Sequence, residues 1–147
     1  MHYQHSQFAA VIVYGMLIPF VAILLLPVFL PGFSEILLPA LAVLFVGVAL
    51  FYTLNVEIDA GVLICSFGIG LIRRRILLSN VQQVGAVTNP WFVGWGIRWM
   101  PGQYWLWNAS GLRAVELLFK DGSRFRIGTD EPEVLAKAIQ SNLRSAT

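Results

Sequence analysis

The sequence predicts an α+β membrane protein: an N-terminal transmembrane helical hairpin followed by a β-barrel of about seven strands, capped by a C-terminal helix. Three observations carry this. Two apolar runs lie almost back to back before residue 55. At Asn55 the hydrophobic pattern changes to a two-residue alternation, the period of half-buried strands. Beyond Thr129 the pattern becomes that of an amphipathic helix.

The chain is 57% hydrophobic and 12% charged, against about 25% charged residues in a soluble globular protein. The deficit is local. Between Phe8 and Leu54 the only charge is Glu35, whereas ten Lys and Arg and seven acids follow from Glu57 onward. The net of about +3 in that part forms no concentrated basic stripe, which argues against a nucleic-acid partner. Cys65 is the single cysteine, so an internal disulfide and a Cys-based metal site are both excluded. The natural division is a helical hairpin over 1–54 and a second domain over 55–147.

The first run, Phe8 to Leu30, has 23 residues and no charge. At 1.5 Å per residue it reaches roughly 34 Å, enough for a bilayer core of ~30 Å. The second, Ile36 to Leu54, has 19 residues and reaches roughly 28 Å, a marginal span. Residues 1–7 lack Lys and Arg, and the first run exceeds a signal-peptide core, so both runs read as retained. The short link PGFSE, residues 31–35, forces the two helices to be antiparallel neighbours. Neither has a polar face to meet water. Pro19, Pro27 and Pro39 are expected to interrupt the helices, which keeps a re-entrant hairpin open as an alternative. The link carries no Lys or Arg, so the positive-inside bias places the second domain and both termini in the cytosol. His2 and His5 are spaced for one helix face and read as interfacial or solvated rather than as metal ligands.

The strands follow in order. NVEID (55–59), VLICSF (62–67), LIRRRILL (71–78) and VQQVGAVT (81–88) are separated by Asp59-Ala60-Gly61, Phe67-Gly68-Ile69-Gly70 and Ser79-Asn80. In the third, Arg73 and Arg75 share one face and Arg74 takes the other. QYWLWN reads as a fifth strand, with Trp105 and Trp107 on one face and Tyr104 and Leu106 on the opposite one. AVELLF and SRFRIG form a hairpin around Lys120-Asp121-Gly122. A three-residue loop with Gly122 left-handed puts Val115, Leu117 and Phe119 on the face of Phe125 and Ile127, and sets Glu116 opposite Arg126. A two-residue turn would bury Glu116, so the longer loop is chosen. The final helix has Thr129 or Asp130 as N-cap, a capping-box pattern from Asp130 to Glu133, and an apolar stripe of Leu135, Ala138, Ile139 and Leu143.

Seven strands and a closing helix are the order of a pleckstrin-homology-like barrel. Residues 55–145 resemble the bacterial pleckstrin-homology-like domains that follow short membrane segments, through IRRRILLSNV, NPWFVGWGIRW, WNASGLRAVEL and DGSRFRIGTDEPEVLAKAI. The resemblance implies a non-enzymatic domain that serves binding and assembly at the bacterial cytoplasmic (inner) membrane. Family members that bind phosphoinositides carry bases around the first hairpin. That turn here, Asp59-Ala60-Gly61 beside Glu57, has none, which puts that route in doubt.

Two groups of residues are candidate contacts. Asn89 to Trp107 holds all five tryptophans, Trp91, Trp95, Trp99, Trp105 and Trp107, with Phe92, Arg98 and Met100 among them. So apolar a loop must be covered by its own domain, by the membrane interface or by a partner protein. Arg73, Arg74 and Arg75 could meet anionic lipid head groups or form a solvated strand face. No catalytic set is recognisable: both histidines precede the first helix, and Phe67-Gly68-Ile69-Gly70-Leu71 lacks the helix a phosphate loop requires. No cofactor or metal is implied. The reading is therefore a non-catalytic, membrane-anchored interaction module, with itself or a larger membrane complex as partner. The alternative is a lipid-sensing module that reads anionic head groups at the inner leaflet.

Overall fold

The structure, a computed structural model, describes residues 2–145. The chain order is β1 (Tyr3–Phe8), α1 (Ala10–Phe29), α2 (Ser34–Phe51), β2 (Thr53–Asp59), β3 (Val62–Phe67), β4 (Ile72–Leu77), β5 (Val81–Thr88), β6 (Gly96–Met100), β7 (Tyr104–Asn108), β8 (Arg113–Phe119), β9 (Arg124–Gly128) and α3 (Pro132–Ser145).

The helical hairpin is present, and it is shorter than the apolar runs. Phe8, Thr53 and Leu54 belong to strands. Pro19 and Pro27 lie within a continuous α1, and Pro39 within a continuous α2, so the expected interruptions are absent. No residue of α1 is buried. This helix is long and apolar enough to cross a membrane, while the apolar stretch of α2, Glu35–Phe51, is shorter.

The helix-face spacing expected of His2 and His5 does not hold, because a strand, β1, precedes α1. β1 pairs antiparallel with β2 from Tyr3↔Ile58 to Phe8↔Thr53. The helical pair is thus a long excursion between two adjacent strands. Ala9 N–H donates to Tyr52 O at 2.8 Å, closing the base of that excursion. The inward positions of β1 are Tyr3, His5 and Gln7. His5 therefore lies on a strand, and its ring nitrogens meet Asp130 Oδ1 at 2.6 Å and Glu131 Oε1 at 3.3 Å. Tyr3 Oη donates to Glu131 Oε1 at 2.7 Å, and burial together with the neighbouring carboxylates pushes its pKa up.

The strands form two sheets. One is the antiparallel meander β1-β2-β3-β4; the other has the order β5-β8-β9-β7-β6. No ladder joins them among the described residues, so the expected closed barrel is replaced by two sheets sharing one core. Leu54, Ile58, Leu63 and Phe67 of the first sheet pack with Val115, Leu117, Phe125 and Ile127 of the second. Burying one face of each sheet is what the two-residue alternation requires. α3 lies against β5 and β8, with Leu135 and Ile139 fully buried.

The β8–β9 hairpin adopts the register chosen on charge burial: Val115↔Ile127, Glu116↔Arg126 and Leu117↔Phe125, with Gly122 at φ +82°. At the start of α3, Thr129 Oγ1 accepts from Glu131 N–H at 3.2 Å. The Asp130–Glu133 capping box gives way to an ion pair, because Glu133 Oε2 meets Arg113 Nη2 at 2.6 Å.

Candidate functional site

Residues 89–107 are not a loop. Gly96–Met100 forms β6, which pairs with β7 through Ile97↔Trp107, Arg98↔Leu106 and Trp99↔Trp105. β7 in turn pairs in parallel with β9. This hairpin is the outer edge of the second sheet, and β6 has a neighbour on one side only.

The aromatic residues divide into two sets. Trp107 is 7% exposed and belongs to the core. Its ring lies 5.4 Å from Phe67 and 6.0 Å from Phe125. Tyr104 and Leu106, on the other face of β7, are covered by Val93 and Met100. The segment therefore folds back in part on its own domain. Trp95 is half-buried; its carbonyl accepts from Arg98 Nε at 3.2 Å, and its indole Nε1 is buried without a hydrogen-bond partner. The second set faces outward. Trp91 is 78% exposed and Trp99 60%, with Phe92, Arg98 and Trp105 also exposed. Trp99 and Trp105 form a cross-strand pair with ring centroids 6.3 Å apart.

The edge is braced from behind. Arg126 Nε donates to Glu116 Oε2 at 2.7 Å and Nη1 to Asn89 Oδ1 at 3.0 Å, while the guanidinium lies 3.7 Å over the Tyr104 ring. One side chain thus ties β8, the start of the aromatic segment and β7 together. Sequence reasoning found the Glu116–Arg126 pair through the register. The Asn89 and Tyr104 contacts carry no local signal.

A chain of rings relates this edge to the helices. Phe125 meets Trp107 edge-on, Trp107 is tilted against Phe67, and Phe67 lies 5.4 Å from Phe51 of α2. The chain of rings reaches the hairpin at Trp107 of β7, and β6 is the last strand of that sheet.

The three arginines occupy β4, at the free edge of the first sheet. Arg73 and Arg75 are exposed, as the alternation requires, and Arg74 turns inward with its guanidinium 4.4 Å over the Phe125 ring. Their cross-strand partners on β3 are Ser66, Cys65 and Ile64. Every ion pair among the described residues uses other groups. Cys65 itself is a core residue whose thiol is pushed up to about 12 by burial, so it stays protonated. Compared with known proteins, the chain matches no family model and no curated protein sequence.

Proposed function

We propose that this chain is a non-catalytic, membrane-anchored interaction module of the bacterial inner membrane. It assembles with itself or with a larger membrane complex through the aromatic edge. Both helices cross the bilayer in this reading, and the two sheets sit on its cytosolic face. An apolar helix with no buried residue needs lipid around it, and the cytosolic assignment rests on the charge asymmetry of the flanking segments.

The strand order supports a pleckstrin-homology-like domain. Setting the β6–β7 hairpin aside leaves four antiparallel strands, three more (β5, β8, β9) and a C-terminal helix. The helical pair then occupies the connection between the first two strands, and the aromatic hairpin is an addition to the edge.

The observation that carries the function is the exposure of Trp91, Phe92, Trp99 and Trp105 around an edge strand. Tryptophan and arginine are favoured anchors of protein contacts, and Arg98 stands among them. An unpaired strand edge offers main-chain hydrogen bonds to a partner. Because the helical pair holds the chain at the bilayer in this reading, the partner that fits is itself a membrane protein.

Purification of the full chain in a mild detergent, followed by mass measurement, tests this. An assembly larger than one protomer is expected, and Trp99→Ser with Trp105→Ser should dissolve it without lowering the unfolding temperature by more than a few degrees. A wild-type chain that is monomeric and carries no partner would overturn the reading. The alternative is head-group contact by Arg73, Arg74 and Arg75. Among the described residues it is favoured for Arg73 and Arg75, which are exposed and without an ion pair, and not for Arg74, which lies over Phe125.

A further inference from the structure

We infer that the β3–β4 turn and the first outward arginine of β4 form a seat on an anionic bilayer leaflet, separate from the aromatic edge. The inference rests on the reading that the helical pair spans the membrane.

The turn is fastened to the end of α2. Ile69 N–H donates to Ala49 O at 3.3 Å and Gly68 N–H to Thr53 O at 2.9 Å. Gly68 has φ +50°, and a Cβ there would collide with the backbone of Ala49 and Leu50. Residues 68–71 are therefore held beside the last turn of α2, at the depth where that helix leaves the bilayer.

At that place the turn presents Ile69, 61% exposed, and Leu71, 72% exposed. Ile69 is tied through its backbone to Ala49 of α2, and Leu71 follows two residues later. A tight turn in water is expected to carry polar residues, so two bare aliphatic side chains beside a membrane helix fit a lipid interface.

The polar part of the seat is set by alternation. Leu71, Arg73 and Arg75 are all exposed. With a rise of about 3.3 Å per residue, Arg73 lies roughly 7 Å along the strand from Leu71 and Arg75 roughly 13 Å, both away from the end of β4 that pairs beside the start of β2. Arg74 is turned away over Phe125. The attraction of a base to an anionic leaflet fades within about 10 Å at physiological salt. Arg73, nearer the α2 junction, therefore feels that field more strongly than Arg75 does. The three arginines, equivalent in the sequence, are ranked by the fold: Arg73 first, Arg75 weakly, Arg74 least. The ligand is the phosphate-bearing surface of the leaflet that anchors the chain, not a stereospecific soluble phosphate. Such a second contact would add to the hydrogen bonds that already hold the turn against the end of α2.

The test uses the full chain in nanodiscs of phosphatidylcholine with phosphatidylglycerol. A nitroxide label is placed, in a Cys65→Ser background, at Leu71→Cys, at Leu77→Cys or at Ile18→Cys. Position 71 should be shielded from a water-soluble paramagnetic reagent and open to oxygen, and position 77 the reverse. Equal accessibility at 71 and 77 would overturn the seat. A water-accessible label at position 18 would instead overturn the membrane reading beneath it, so the two failures are distinguishable. A charge arm follows by native mass measurement of retained lipids. Arg73→Gln should lower the ratio of phosphatidylglycerol to phosphatidylcholine about fivefold, as one base at the surface implies, and Arg75→Gln less than twofold. Equal effects of the two substitutions, no effect of either, or the same losses with inorganic phosphate as competitor would refute the ranking.

Discussion

Trp107 and Trp91 show how much one residue type can differ in role within a single segment. The Trp107 indole fills the space between the two sheets, in contact with Phe67 and Phe125. Trp91 stands exposed, in a T-shaped contact with Phe92. Truncating a buried aromatic costs about 3–5 kcal/mol, whereas a surface change away from special features stays within about 0.5 kcal/mol. Trp107→Ala should therefore lower stability by about 3–5 kcal/mol in denaturant unfolding of the detergent-solubilised chain, and Trp91→Ala should leave it nearly unchanged. A large loss with Trp91→Ala would mean that its exposure is not that of the folded protein. Arg126 acts through polar contacts instead. It satisfies Glu116 and Asn89 and stacks on Tyr104, which fixes the back of the aromatic hairpin.

Among the elements, the junction between the helical pair and the first sheet is the most tightly determined. Ala9 and Tyr52 close the base, and the β3–β4 turn is hydrogen-bonded to the end of α2. Gly68 is the residue this junction cannot exchange, because its backbone is left-handed and lies against Ala49 and Leu50. Gly68→Ala combines an unfavourable φ with a backbone collision, and each such strain costs roughly 1–3 kcal/mol. A loss of about 3 kcal/mol is expected in thermal or denaturant unfolding, while Gly61→Ala at the open β2–β3 turn should lose about 1 kcal/mol, the left-handed penalty alone. Equal losses at the two glycines would show that the turn does not press on the helix.

For the whole molecule, the pairing of β1 with β2 has a topological consequence. The residues on both sides of the helical pair belong to one sheet, so residues 3–8 and 53–59 lie together. If the helices cross the bilayer, they must cross it as a pair, and the two termini emerge on one side. Reporter domains fused to the N- and C-terminus should both be active in the cytosol, and a protease added outside sealed cells should cut neither. Opposite placement of the two reporters would require β1 to leave its sheet.

The sequence alone determined what short-range patterns can carry. The helical hairpin follows from two uncharged runs and a five-residue link. β2 to β5 and α3 follow from alternation, turn residues and a narrow apolar stripe. The β8–β9 register follows from keeping Glu116 and Arg126 out of the core. The tertiary structure alone decided the rest. β1 has polar residues at its inward positions, and its partner lies some fifty residues away beyond the helices, so no local period marks it. β6 is five residues long and begins at a glycine, and its pairing became visible only with β7 in place. The parallel β7–β9 ladder joins strands whose intervening segment gives no sign of it. Which tryptophans are core and which are surface, and which arginine stands nearest the base of the helices, depend on how the two sheets meet. Side-chain periodicity records burial along one strand; it does not record which strand will lie across the core.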